Sequence, residues 1–229
     1  LRDEFPSTIV VADHDGRIVG YFHMPVYAAR YQGHPVLGAI TCDLASLPEY
    51  RRQGMMRALD DHARALLAKR GVDLVIGFPH PISYAGFTGH GAYSPVTKVP
   101  TYVRPLDLGR MLADRLRPAF LGQAAGTLAG PLYHVLKGGS VPLKPAADSG
   151  PIERFDADME RVSAEFADQV RISYSRTARY LNWRFCDKPS HEYEVWGLKR
   201  AGRARAYVIT RVADLLDTKS LVIVDLGCG

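Results

Sequence analysis

A chain of 229 residues with 47% hydrophobic and 23% charged positions has the make-up of an ordinary soluble globular protein, long enough for one large or two small domains with a substantial core. No apolar run approaches the ~20 residues that span a bilayer, and no signal-peptide pattern opens the sequence, so no membrane partner is expected. The net charge of +5 suits acidic ligands, but the basic residues are scattered rather than gathered into the stripe or module that nucleic-acid binding needs. Cys42, Cys186 and Cys228 are widely spaced and lack metal-ligand spacing, so a reducing, cytoplasmic setting is expected, with Cys42 in the core. The chain opens on Leu1 and closes on Gly229 without obvious caps, as a fragment would.

Thr8 to Asp13 and Arg17 to Tyr27 are β-rich runs joined by Asp13-His14-Asp15-Gly16. Asp-Gly between alternating apolar runs signals a hairpin. A calcium loop would also need a downstream glutamate at EF-hand spacing, which is missing. Gln32-Gly33-His34-Pro35 makes the next turn, and Leu37 to Leu44 follows as a central apolar strand that Pro48 closes. Three sequential antiparallel strands are therefore expected before the first helix.

From Met56 the apolar positions Leu59, Ala63, Leu66 and Leu67 fall on one helix face. Lys69 and Arg70 meet the negative end of the helix dipole, and Gly71 stops the helix. Val72 to Phe78 is a nearly unbroken apolar run, expected to be a strand covered on both faces and parallel to the central one. The turn entering the helix carries the chemistry. Arg51, Arg52, Gln53 and Gly54 sit where backbone N–H groups lack intrahelical partners. Those donors, the positive dipole end, a glycine and two guanidinium groups form an anion site. Each dipole contact is worth ~0.3–1 kcal/mol, so a diphosphate touching several would be held firmly. Neither a P-loop nor a G-x-G-x-x-G fingerprint is present. A plain helix start with surface arginines is the alternative.

The stretch Ser46-Leu47-Pro48-Glu49-Tyr50-Arg51-Arg52-Gln53-Gly54-Met55-Met56-Arg57-Ala58-Leu59 resembles the cofactor motif of the GNAT superfamily of acyl-CoA-dependent N-acyltransferases. That motif, Arg/Gln-x-x-Gly-x-Gly/Ala after a strand and a proline, falls on Arg51, Gly54 and Met56, with Met56 in place of a small residue. The resemblance implies an α/β fold with a mixed, partly antiparallel sheet and a β-α-β cofactor unit. It also implies acetyl-CoA as acyl donor, held by Leu44, Ala45, Ser46, Arg51, Arg52, Gln53, Gly54, Met55, Met56 and Arg57, with a small-molecule amine as acceptor. In this family the loop amides take the diphosphate and the preceding strand pairs with the pantetheine arm. The thioester would lie in the splay between the strands of Leu37–Leu44 and Val72–Phe78. A backbone N–H near Leu44 to Ser46 would stabilise the oxyanion.

Ile82 to Thr88 is helix-like, and a final β pair is expected around Tyr93 and Thr101 to Leu106. The family often carries a tyrosine here that protonates the leaving thiolate. Lining up Gly91 with the family's glycine puts Phe87, which has no hydroxyl, at that position. Either Tyr84, one turn earlier, is the substitute acid, or the thiolate leaves unaided; His80, His90 and Tyr93 are further acid/base candidates. Asp43 or Glu49 would accept the amine proton. Alternatively, the missing tyrosine marks a non-catalytic acyl-CoA-binding or scaffolding module.

Leu108, Met111, Leu112, Leu116, Phe120 and Leu121 suggest amphipathic helices, and Lys137 to Pro151 reads as a linker. A membrane-surface helix is disfavoured by Pro118 and the glycines. Phe155 to Ala167 and Ser175 to Phe185 read as helices; Tyr193 to Leu198, Ala204 to Arg211 and Leu221 to Leu226 read as strands. Ile40-Thr41-Cys42-Asp43-Leu44 and Val222-Ile223-Val224-Asp225-Leu226 match in pattern as the third strand of each set. Together with Tyr180 to Phe185 and Pro189, this resembles a tandem GNAT arrangement. The expected layout is an acyl-CoA-binding domain over 1–106, a helical connector and linker over 107–150, and a partial second GNAT-like unit over 151–229. Only the first copy has the parts to bind acyl-CoA. Two incomplete units could complete each other in a homo-oligomer. Ile223-Val224-Asp225-Leu226-Gly227-Cys228-Gly229 also resembles the first motif of class I S-adenosylmethionine methyltransferases, where the glycine turn follows a strand.

Overall fold

The computed structural model describes residues 7–89, 92–108, 112, 120–121, 124–129, 148–187, 192–215 and 218–229. They fall into two compact units: Leu1–Thr97 with Glu160–Leu181 and Gly229, and Lys98–Met159 with Asn182–Cys228.

In the first unit, strands β1 (Thr8–His14) and β2 (Arg17–Met24) pair antiparallel across the expected Asp-Gly turn. Asp15 and Gly16 both take positive φ, 51° and 81°, the left-handed pair that matches strand twist in a two-residue hairpin. The Asp13 carboxylate accepts the Gly16 N–H at 3.0 Å, so this motif is a turn rather than a cation loop. Strands β3 (Val26–Tyr31) and β4 (His34–Ile40) pair antiparallel around the Gln32-Gly33 turn. Strand β5 (Cys42–Ser46) returns to β2.

Two bends divide what would be long strands. Pro25 has no N–H for a ladder and separates β2 from β3, while Thr41 separates β4 from β5. The chain thus passes from a sheet ordered β1-β2-β5 into one ordered β6 (Leu74–Ile76), β4, β3, β8 (Ile172–Tyr174), and back. Pro25 still accepts the Ile40 N–H at 3.1 Å, which joins the two sheets at the bend. The single expected strand over Leu37–Leu44 is therefore two shorter ones.

Helix α1 (Met55–Lys69) buries Leu59, Asp60, Ala63 and Leu67. It covers a core that includes Val10, Phe22, Met24 and Ala39. Past the helix end, Gly71 takes φ 74°, and the Val72 N–H returns to the Leu67 carbonyl at 3.1 Å, a glycine stop of the kind the sequence signalled. Strand β6 is parallel to β4 as expected, but it spans only Leu74–Ile76, not Val72–Phe78. Its partner ends at Ile40, where the chain turns toward the other sheet, so nothing pairs with Gly77 and Phe78. Helix α2 (Pro81–Thr88) follows. No strand forms among the described residues of the expected β pair around Tyr93 and Thr101–Leu106. Pro95, Pro100 and Pro105 remove ladder donors across that stretch.

Of the connector, residues 124–129 are helical; Met111, Leu116, Pro118 and most of Lys137–Pro151 lie outside the described residues. Helix α3 (Ala157–Asp168) forms close to the expected place. Strand β8 (Ile172–Tyr174), which periodicity did not reveal in so short a run, adds to β3 in the first unit. The helix expected over Ser175–Phe185 is α4 (Ala178–Leu181) running into a π-turn over Asn182–Cys186. The Asn182 amide accepts from the Phe155 N–H at 2.8 Å and donates to the Phe155 carbonyl at 2.9 Å, a tertiary demand that competes with regular helix. Pro189 lies outside the described residues.

The second unit holds a sheet ordered β11-β10-β9-β7, built from β7 (Ser149–Pro151), β9 (Glu194–Arg200), β10 (Arg203–Leu215) and β11 (Thr218–Cys228). The three longer strands lie where the sequence placed them. The β9–β10 turn repeats the first hairpin, with Ala201 and Gly202 at φ 51° and 76°. Strand β11 remains paired through Gly227 opposite Tyr207 and Cys228 opposite Ala206. Gly227 is flat against the Tyr207 ring, its hydroxyl oxygen 2.9 Å from where a Cβ would stand. It is a packing glycine within a strand, which removes the cofactor turn that the methyltransferase resemblance required.

Candidate functional site

The approach to α1 runs from β5 through Leu47 and a 3-10 turn over Pro48–Tyr50. Gly54 is the N-cap residue with φ 81° and ψ 1°, no side chain caps the helix, and its first turn has no acidic residue. The first backbone bond into the helix is Ala58 N–H to the Gly54 carbonyl at 3.1 Å. The N–H groups of Met55, Met56 and Arg57 therefore precede the helical ladder and are free for an anion. A Cβ on Gly54 would meet nothing within 4 Å; the glycine is there for its left-handed backbone and leaves open space in front of the amides. Arg51 and Arg52 are exposed and form no ion pair among the described residues. Gln53 braces the loop by donating to the Glu49 carbonyl at 3.0 Å. The Arg57 guanidinium leans on Asp61 at 3.6 Å.

The methionines point inward. A side chain on Gly20 of β2 would collide with the Met55 sulfur, and one on Gly86 of α2 would come within 2.7 Å of the Met56 sulfur. Met56 thus fills a notch left by a glycine on the next helix. This accounts for a large residue standing where the family motif has a small one: the bulk lies in the protein and not over the loop amides.

Beside the loop, the sheet opens. The Thr41 N–H donates to the Ile76 carbonyl at 2.9 Å, the last bond before β5 and the chain after β6 diverge. Leu44, Ala45 and Ser46 lie on β5, with Ala45 opposite Tyr21 and Ser46 opposite Gly20. The other edge of β5 has no strand partner among the described residues. Leu44 rests against the core. Asp43 takes φ 33°, an uncommon backbone for a residue with a side chain. Its carboxylate meets Nδ1 of His23 at 3.2 Å, with the imidazole 26% and the carboxylate 66% exposed. Glu49, the other carboxylate considered as a base, is instead ion-paired with Arg17 at 3.5 Å. Cys42 is part-exposed at this strand end, not a core thiol.

Phe87 of α2 is buried in the same core, its ring 6.2 Å from Phe22 and 5.2 Å from Tyr93. The hydroxyl-free position is a core position. Tyr84 is 45% exposed on the same helix, and its hydroxyl has no partner among the described residues. His80 is the helix cap, its Nδ1 accepting the Ile82 N–H at 3.3 Å; His90 and Gly91 lie outside the described residues. Tyr93 donates to the buried Asp60 carboxylate at 2.7 Å, and Arg64 Nε donates to the other oxygen at 3.0 Å. Burial first, and the bond to Asp60 second, push the Tyr93 phenol far above its ordinary range. That network holds the segment after α2 against α1. Sequence reasoning missed Asp60, because a carboxylate next to Leu59 reads as a solvated face, and missed His23, because one histidine in a strand carries no pattern. No group of His, Cys, Asp and Glu that could hold a metal ion occurs among the described residues.

A family model described as the acetyltransferase (GNAT) domain matches residues 4–94. The chain carries a GNAT acetyltransferase domain. The match covers the strands, the arginine–glycine loop, α1, β6 and α2 together. Two solved structures align with nearly the whole chain. A probable N-acyltransferase from Enterococcus faecalis V583, described as a conserved protein of unknown function, is 16% identical over 97% of this chain and 48% of its own, with a TM-score of 0.57. A GCN5-related N-acetyltransferase from Anabaena variabilis ATCC 29413 is 11% identical over 96% and 48%, also at 0.57. An acetyltransferase of Trypanosoma brucei is 19% identical over 44% of this chain and 72% of its own, at 0.38. For the first two, at such identities, the likeness is one of fold. The chain spans about half the length of the two structures it follows throughout, 48% of each. No curated protein sequence matches it. Among the described residues, no helix is long and apolar enough to cross a membrane.

Proposed function

We propose that this protein transfers an acetyl or related acyl group from acetyl-CoA to a small-molecule amine. The observation that carries the reading is the uncapped N-terminus of α1: free N–H groups, left-handed Gly54 with open space before it, no acid in the first turn, and Arg51 and Arg52 alongside without an ion pair among the described residues. A bare helix start of this kind, set in a GNAT domain, fits the diphosphate of a CoA thioester. Arg51 to Arg57 would hold the diphosphate, and the free edge of β5 over Leu44, Ala45 and Ser46 would align the pantetheine arm. When bound, acetyl-CoA supplies the acyl group already activated as a thioester. The chain's own part is to position the amine at the opening past Thr41, take its proton on the Asp43 side, and present a hydroxyl from Tyr84 as proton donor. Its setting would be the reducing cytoplasm, with neither nucleic acid nor membrane as partner.

The competing reading is a non-catalytic acyl-CoA-binding module, favoured by the burial of Phe87 where the family often has its tyrosine. Thiol release measured with acetyl-CoA and a panel of amino sugars, aminoglycosides, peptide N-termini and polyamines separates the two. Amine-dependent release that Gly54→Asp abolishes is the expected result. Tight acetyl-CoA binding with no release for any amine would establish the binding module instead.

A further inference from the structure

We propose that the acceptor is a monoamine carried on an aromatic or alkyl body, and that Phe78 is the residue that selects it. This rests on the acyltransferase reading above. Helices α1 and α2 take one face of the sheet beside the opening: Leu37 and Ala39 of β4 and Val75 of β6 pack into the core with Leu59, Ala63 and Phe87. Side chains alternate along a strand, so Gly38 and Ile40 of β4, with their partners Leu74 and Ile76 of β6, lie on the other face. A Cβ on Gly38 would stand 3.3 Å from the side chains of both Leu74 and Tyr174, so β8 lays an aromatic ring on that face. Tyr27 meets the same ring edge-on at 5.6 Å.

This apolar face leads to Phe78. Thr41, two residues beyond Ala39, presses on Gly77, two beyond Val75: a Cβ on Gly77 would be 2.8 Å from the Thr41 hydroxyl oxygen. Pro79 holds the residue before it extended, so the Phe78 ring falls on the side away from the helices, in line with Ile76. It is 68% exposed, two residues past the Ile76 carbonyl that makes the last bond before the opening. Single exposed apolar residues are ordinary; this one stands at the rim of the reaction site. Residues 74–89 include no Asp, Glu, Lys or Arg, and β5 across the opening has a single carboxylate, Asp43. Asp43 meets His23 and remains 66% exposed. A carboxylate offers several acceptor positions, so one ammonium group can be met there. An acceptor with several ammonium groups would bring charges that this lining leaves unpaired, whereas an aryl or alkyl body would bury against Phe78. A ring there also gains an edge-to-face or stacked contact. Tyr174 lies beyond residues 4–94, which match the GNAT model, so part of this half-site comes from the chain outside that match.

The test is initial-rate thiol release from acetyl-CoA at one pH by the unmodified protein, Phe78→Ala and Phe78→Asp. The acceptors are the linear alkylamines from propylamine to hexylamine, 2-phenylethylamine, glucosamine, spermidine and kanamycin. In the unmodified protein kcat/KM is expected to rise about two- to fourfold per methylene along the alkyl series, through KM rather than kcat. It is expected to be at least about tenfold higher for 2-phenylethylamine than for glucosamine or kanamycin. Phe78→Ala, at an exposed side chain that folding does not need, is expected to lower the 2-phenylethylamine-to-glucosamine ratio about tenfold. Acetyl-CoA affinity should stay within about twofold. Phe78→Asp is expected to turn the preference toward spermidine. A flat alkyl series, a preference of the unmodified protein for kanamycin or spermidine, or an unchanged ratio in Phe78→Ala overturns the assignment. Release with glucosamine or kanamycin and none with the apolar amines sinks this selectivity alone. No release with any of these amines sinks the acyltransferase reading and this selectivity with it.

Discussion

Asp60 is a carboxylate placed inside a helix–sheet core, and it is tolerated because Tyr93 and Arg64 satisfy both of its oxygens. Asp60→Ala leaves a half-buried phenol and a guanidinium without their acceptor, and a loss of about 1–3 kcal/mol in denaturant unfolding is expected. Tyr93 sets a pH dependence whose sign follows from its raised phenol. The unfolded phenol ionises near 10.0, while the folded one must stay protonated, so its contribution is intact below that pH and lost as pH rises above it. Tyr93→Phe should flatten the alkaline limb of the stability profile; an unchanged limb would assign it to other groups. Tyr84 makes the contrasting case. Its free, exposed hydroxyl carries no structural duty, so Tyr84→Phe is expected to lower turnover while leaving acetyl-CoA affinity and stability nearly unchanged. Unaltered turnover would remove it from the mechanism. The uncapped helix start after Gly54 was legible from sequence, because helix-start chemistry is local. Asp60 and His23 were not, because what makes each matter is a partner 33 or 20 residues away.

The elements that periodicity marked plainly are those whose signals are local, one apolar helix face or a two-residue turn. Helix α1 and the hairpins of β1–β2 and β9–β10 lie where their apolar spacing and turn residues put them. The strand at Val72–Phe78 is shorter than its apolar run because pairing, not composition, sets strand length, and β4 turns away at Thr41. Proline at position 25 and Thr41 each read as interior to one strand, since a bend that feeds two sheets has no signature in a period of two. The fit of Met56 into the Gly86 notch makes a sharp prediction at this scale. Gly86→Val would force the Met56 side chain out of its site, costing about 1–3 kcal/mol by overpacking and shifting the loop amides. Weakened acetyl-CoA binding should therefore accompany the lost stability; loss of stability alone would show that Met56 does not set the loop.

Over the whole molecule, the first unit has a complete strand–loop–helix–strand device, and the second holds the sheet ordered β11-β10-β9-β7. The segments Ile40–Leu44 and Val222–Leu226, whose patterns match in sequence, take different forms: the first spans the end of β4, the break at Thr41 and the start of β5, and the second lies inside β11. The match differs in continuity: β11 runs unbroken through the positions where Thr41 interrupts the first copy. Only the first copy has the bend that opens the sheet beside an uncapped helix. We propose this opening, with the loop from Arg51 to Arg57, as the place where an acyl-CoA binds. Isothermal titration of acetyl-CoA into the unmodified protein and into the Arg52→Glu/Gly54→Asp double variant tests it most directly. A saturable heat is expected in the first and none in the second; binding that survives the double change, or no binding in the unmodified protein, would rule out an acyl-CoA site on this loop.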